Sequence, residues 1–139
     1  MASPKLACTV AVLSFLAMDV AWLTVGGAGA RFLAVANDLR GGGGGATWAG
    51  WQLFLLGCLI YALLSVALCR FAVQPALQGE RPGPEALVSG ALLGLVVYGT
   101  FDFTNLALFG PDYGVGFAAS DAAWGAFAMA ASAWLGARL

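Results

Sequence analysis

The chain has 139 residues, enough for one small domain. Its apolar fraction is 61% and its charged fraction 9%; soluble domains run at roughly 45–50% and about 25%, so charge is too scarce to cover a water-facing surface. A net charge of -1, with Lys5, Arg31, Arg40, Arg70, Arg81 and Arg138 scattered, gives no signature of a nucleic-acid partner, and the lipid bilayer is the expected surrounding.

A membrane-crossing helix needs about 20 mostly apolar residues. The first such segment runs from about Leu6 to Val25. Lys5 before it and Ala28-Gly29-Ala30 after it loosely fit a cleaved leader. The stretch is long and contains Asp19 and Trp22, so a retained helix is expected. Gly26, Gly27 and Gly29 end it. Ala30 to Arg40 mixes Phe32, Leu33 and Val35 with Arg31, Asn37 and Asp38, the pattern of a short helix on the membrane surface or of an ordered loop. The glycine run Gly41 to Gly45 follows.

The second segment runs from about Trp48 to Cys69, with Trp48 and Trp51 at an interfacial aromatic belt. A polar connection, Arg70 to Glu85, carries Pro75, Pro82 and Pro84 and a solvated Arg81–Glu85 pair. The third segment, about Ala86 to Phe109, holds a Gly90/Gly94 G-x-x-x-G pair suited to close helix packing. A tight turn, Gly110-Pro111-Asp112, leads to the fourth, about Val115 to Leu135. The expected fold is all-α: one membrane domain over residues 1–139, a bundle of four transmembrane helices. Four cations on one side (Lys5, Arg70, Arg81, Arg138) against two on the other (Arg31, Arg40) predict cytoplasmic N- and C-termini.

Three carboxylates fall inside the apolar segments: Asp19, Asp102 and Asp121. Each costs about 2.5–3.5 kcal/mol at the bilayer centre on insertion scales, and such residues usually face the bundle interior. No Lys or Arg lies inside the four segments to pair with them. At 1.5 Å per residue, each carboxylate is predicted roughly 9–10 Å below the outer boundary, with Gln52 at about 6 Å. One acid from each of three helices and an amide from the other then share a layer. Tyr98, Asp102 and Asn105 share a helix face, with Thr100 and Thr104 on a nearby stripe. Asp19 and Trp22 are three apart; Asp121, Trp124 and Gly125 share a face. Asp19-Val20-Ala21-Trp22 and Asp121-Ala122-Ala123-Trp124 repeat the pattern D-x-A-W, either by chance or through a duplicated helix pair.

The stretch Tyr98-Gly99-Thr100-Phe101-Asp102-Phe103-Thr104-Asn105-Leu106 resembles the third-helix signature Y-x-T-[YF]-D-x-T-N-L of domain of unknown function family 2177, small membrane proteins. Asp19, Trp22 and Leu23 match its D-x-x-W-L segment; Asp121, Ala123, Trp124 and Gly125 match its D-x-A-W-G segment. The resemblance covers nearly the whole chain and departs at Gly41 to Gly45. It implies four helices and the polar residues, and it supplies no activity.

Three function classes remain. Carboxylates at one depth repel unless some hold a proton or share a cation, which points to a proton- or cation-linked transporter or channel-like protein. Its candidate ion or proton site is Asp19, Asp102, Asp121, Asn105, Tyr98, Thr104 and Gln52, with Trp22, Trp124 and Gly125 packing or orienting it. The small size then predicts a homo-oligomer. The alternative is a structural or accessory protein that binds a membrane-protein partner, with the polar layer holding the helices together. A lipid-modifying enzyme using Mg²⁺ is weaker, since histidine is absent and no nucleophile stands beside a base. No cofactor is implied beyond a possible bound cation: no membrane-buried Lys is present for retinal and no His for heme. The three cysteines, Cys8, Cys58 and Cys69, lie in or beside apolar runs and predict no disulfide framework.

Overall fold

The computed structural model describes residues 3–39 and 50–139, which are almost entirely helical. Helix α1 spans Pro4–Thr24. Ser3 caps it, its hydroxyl accepting the Leu6 amide at 3.3 Å, and Pro4 occupies the first turn, where a missing N–H is harmless. Gly27, at φ 76°, lets the chain reverse into α2, Ala28–Leu39. The segment between the first two apolar runs is thus a helix rather than a loop. Phe32 sets α2 against the bundle, edge-on to Phe101 at 5.7 Å and to Phe117 at 4.9 Å between ring centroids. Arg40, Gly41 to Gly45 and Trp48 lie outside the described residues.

Helix α3, Gly50–Ala67, does not stop at Cys69 as expected. It continues through a π-helical stretch, Leu68–Val73, and a last turn, Gln74–Ala76. The Gln74 amide reaches back to the Cys69 carbonyl, one residue further than an α-helical bond. Pro75, which has no N–H to give, follows this wide turn. Helix α4 also starts earlier than expected, at Pro82, and ends at Phe109. Two of the three prolines expected in the connection, Pro82 and Pro84, are accommodated in its first turn, where no amide partner is needed. Glu85 accepts the backbone amide of Arg81 at 3.0 Å, a cap rather than a solvated side-chain pair. A 3₁₀ turn, Gly110–Tyr113, leads to α5, Val115–Ala137. Gly110 and Gly114, at φ 71° and 93°, make that reversal possible.

Among the described residues, three stretches are long and apolar enough to cross a membrane: Pro4–Thr24, Gly50–Ala76 and Pro82–Tyr113. α5 is long enough at 23 residues, but its sequence is rich in alanine and glycine. Burial explains that composition. α5 is wedged between α1 and α4, and Ala118, Ala122, Gly125, Ala128, Ala133 and Gly136 are buried along it. Gly90 has room for no Cβ, which would stand 2.5 Å from the Met129 carbonyl; Gly94 is likewise pressed against Gly125, and Gly136 against Ala7 and Ala11. The Gly90/Gly94 pair therefore does what its spacing predicts. α3 from Gly50 to Ala67, by contrast, buries no residue, and Phe54, Leu59 and Leu63 stand exposed.

The helix ends sort into two groups. Cys69 Sγ lies 3.9 Å from the Cys8 carbonyl, and Gly83 lies beside Trp134 and Arg138. The start of α1, the end of the α3 stretch, the start of α4 and the end of α5 therefore meet at one end, which carries Lys5, Arg70, Arg81 and Arg138. The half of the bundle nearest this basic end is a dry core, with Ala11, Phe15, Leu68, Val73 and Met129 fully buried. The polar cluster occupies the other half.

Candidate functional site

Asp19, Asp102 and Asp121 are 5%, 0% and 3% exposed, on α1, α4 and α5. The bundle brings them together as a chain of neighbours. The Asp102 and Asp121 carboxyls interact directly, and Asp121 feels the charge of Asp19. No group of three or more His, Cys, Asp or Glu side chains among the described residues is arranged to hold a metal ion. The carboxylates thus form a row rather than a cage.

Each carboxylate has its own aromatic donor. Tyr61 on α3 donates to Asp19 Oδ2 at 2.6 Å, and Tyr98 on α4 donates to Asp19 Oδ1 at 2.7 Å. Tyr113, in the 3₁₀ turn, donates to Asp102 Oδ1 at 2.7 Å. Trp22 on α1 donates from Nε1 to Asp121 Oδ1 at 2.5 Å. The chain has three tyrosines, and all three hydroxyls serve these acids. Among the described residues, Asp102 Oδ2 and Trp124 Nε1 are buried without a hydrogen-bond partner.

The repeated D-x-A-W segments meet face to face. The Trp22 and Trp124 rings stack at 4.9 Å with 13° between their planes. Trp22 crosses to the acid of the other segment, while the Trp124 indole N–H has no acceptor. Gly125 makes room beside Trp124, since a Cβ there would collide with the Tyr98 ring.

The other residues singled out from the sequence fall less centrally. Asn105 interacts with the Tyr113 hydroxyl and so backs Asp102 indirectly. Thr100 and Thr104 are exposed. Gln52 does not line the cavity beside Asp19; α3 reaches that layer through Tyr61, nine residues further along and about 13–14 Å down the axis. Tyr61 and Tyr113 join the cluster although helical spacing does not single them out. A phenol inside an apolar run and one after a glycine turn were the available signals.

Bordered by α1, α2, α3, α4 and Asp121 of α5 lies a cavity of about 400 Å³. Asp19, Asp121, Tyr61, Tyr98 and Trp22 contribute its polar and aromatic wall, and its described lining holds no Lys or Arg. Trp22 also borders a second cavity, of about 360 Å³, toward Arg31 and Ser120. Arg31 itself stands over the Phe117 ring, 5.7 Å from its centroid.

Apolar helices of spanning length enclosing a row of buried carboxylates define a helical membrane protein with an acidic interior. The chain belongs to the family described as predicted membrane protein, domain of unknown function 2177, whose sequence model matches residues 5–138. No curated protein and no solved structure matches it.

Proposed function

We propose that this is a proton- or cation-linked membrane transporter or channel-like protein, in which α1, the α3 stretch, α4 and α5 all cross the bilayer. Asp19, Asp102 and Asp121 form its exchange site. The observation that carries this reading is Asp102 Oδ2: the side chain is fully buried, this oxygen has no donor, and the carboxyl abuts Asp121. A buried acceptor left unmet costs about 1–3 kcal/mol. Two facing acceptors need a proton or a cation between them. A layer kept only for packing would be served at lower cost by Asn or Ser. The row-like arrangement suits a proton or a singly charged ion better than a divalent metal. At 139 residues the chain is small for a transporter, so the reading includes a homodimer or larger assembly.

The test is thermal unfolding of the purified protein against Li⁺, Na⁺, K⁺, Mg²⁺ and Ca²⁺. A ligand that binds only the folded state at 100 times its Kd adds about 2.7 kcal/mol. One or more cations should raise the melting temperature of wild type, and Asp102→Asn and Asp121→Asn should lose that rise. Indifference of wild type to every cation and to pH would sink the proposal. A second reading, a structural layer in an accessory protein, draws support from Asp19, whose two oxygens are both satisfied by tyrosines. Interhelical bonds of this kind contribute roughly 0.6–2 kcal/mol. On that reading Asp102→Asn changes stability slightly and no cation response exists to lose.

A further inference from the structure

The cavity beside Asp19 has two chemically different parts. One part is bordered by Asp19 and Asp121, both almost wholly buried at 5% and 3% exposed, with Trp22, Tyr61 and Tyr98 beside them. The other walls are apolar, from Leu23, Phe32, Ile60, Leu64 and Phe101. Ile60 and Phe101 are 55% and 52% exposed, so the cavity reaches the outer flank of the bundle where hydrocarbon is expected. Its volume of about 400 Å³ lies within the range of about 300–1,000 Å³ typical of small-molecule sites.

We propose that this cavity binds an amphipathic organic monocation, a protonated amine on an apolar body. The ammonium sits against Asp19 and Asp121 within the Trp22, Tyr61 and Tyr98 rings, and the apolar body lies along Leu23, Ile60 and Leu64. This rests on the reading of the carboxylates as an exchange site and names what is exchanged for the proton. Three observations favour such an occupant. The described lining supplies carboxylates and no Lys or Arg, so a cationic ligand finds opposite charge there and no like charge. A carboxylate has about four acceptor positions, so the tyrosine and indole donors leave Asp19 and Asp121 capacity for N–H groups. Aromatic faces near a cation add attraction that grows when water is excluded.

The experiment is equilibrium binding of radiolabelled phenylbutylamine to the full chain in nanodiscs, corrected for empty nanodiscs, with phenylbutanol as neutral competitor. Wild type should bind the amine saturably and about tenfold more tightly than the alcohol. Asp121→Asn should remove that preference. Gly57→Leu keeps the test independent of the acids: Gly57 lines the cavity, and a Cβ there meets nothing within 4 Å. That variant should fold, fill the cavity and weaken amine binding about tenfold, while retaining the response to inorganic cations. Equal binding of amine and alcohol would mark the cavity as a lipid-tail groove and overturn the proposal. So would unchanged amine binding in Gly57→Leu. If the amine fails to bind while inorganic cations still protect wild type, this inference alone falls; if neither acts, the exchange-site reading falls with it.

Discussion

Asp19 and Asp102 are held with different margins. Asp19 accepts from two tyrosines on two helices, so losing one leaves the other in place. Asp102 accepts from Tyr113 alone among the described hydroxyls, and its second oxygen is already without a partner. Tyr113→Phe should therefore destabilise more than Tyr61→Phe: about 1–3 kcal/mol for a buried carboxyl left without a hydroxyl donor, against about 0.5–1.5 kcal/mol for one bond of two. Unfolding in mixed micelles measures both, and a larger loss in Tyr61→Phe would contradict the assignment. The same residues mark the limit of what the sequence makes legible. A carboxylate in an apolar run is conspicuous because its burial is costly, so all three acids could be found. A tyrosine is not, since its ring belongs in an apolar segment and its hydroxyl announces no partner. Tyr98 drew attention because it precedes Asp102 by four, yet its hydroxyl serves Asp19 on another helix. Helical spacing reports which residues share a face and is silent on what that face meets. Gln52 shows the same gap from the other side: the described lining of the cavity beside Asp19 takes Tyr61 from α3 and not Gln52.

Among the four long helices, α5 alone is not apolar enough to count as a spanning helix by composition, and its packing accounts for this. A helix enclosed by α1 and α4 has little lipid to face, and close approach of backbones requires side chains to be small. Gly94→Ala should therefore be costly, since its methyl group would meet the backbone at Gly125 and neither helix can yield there without moving. Overpacking of this kind costs about 1–3 kcal/mol. Gly116→Ala, at a position on α5 where a Cβ meets nothing within 4 Å, should be neutral or stabilising. Comparing the two melting temperatures tests whether glycine is kept for contact or merely tolerated; equal losses would exclude the contact explanation. The helix boundaries moved for related physical reasons. The prolines of the expected connection do not end helices: Pro82 opens α4, and Pro75 follows a π turn that carries α3 onward. A proline breaks a helix only where its missing amide was needed.

For the whole molecule, the charges and the packing make the same statement. Lys5, Arg70, Arg81 and Arg138 lie at helix ends that the contacts at Cys8, Gly83 and Gly136 gather together, while Arg31 lies at the opposite end beside Phe117. Cytoplasmic loops are enriched in Lys and Arg, so the basic end is expected inside and the Gly110–Tyr113 turn outside. With α5 as a fourth crossing, both termini fall on the cytoplasmic side. A membrane-impermeant maleimide should then label Asp112→Cys in intact cells of a variant whose native cysteines are replaced. Glu80→Cys should stay unlabelled until the cells are opened. Both positions are exposed and remote from the packed interfaces, so neither change should disturb the bundle. Protease-sensitive tags at the two termini complete the test. If both tags are protected in intact cells, the alanine- and glycine-rich helix crosses the membrane despite its modest hydropathy, carried by its contacts with α1 and α4. If the C-terminal tag alone is cleaved, α5 does not cross as proposed. Asp121 then enters the acidic row from a helix that does not span, and the exchange site opens to the far side rather than being enclosed by four membrane helices.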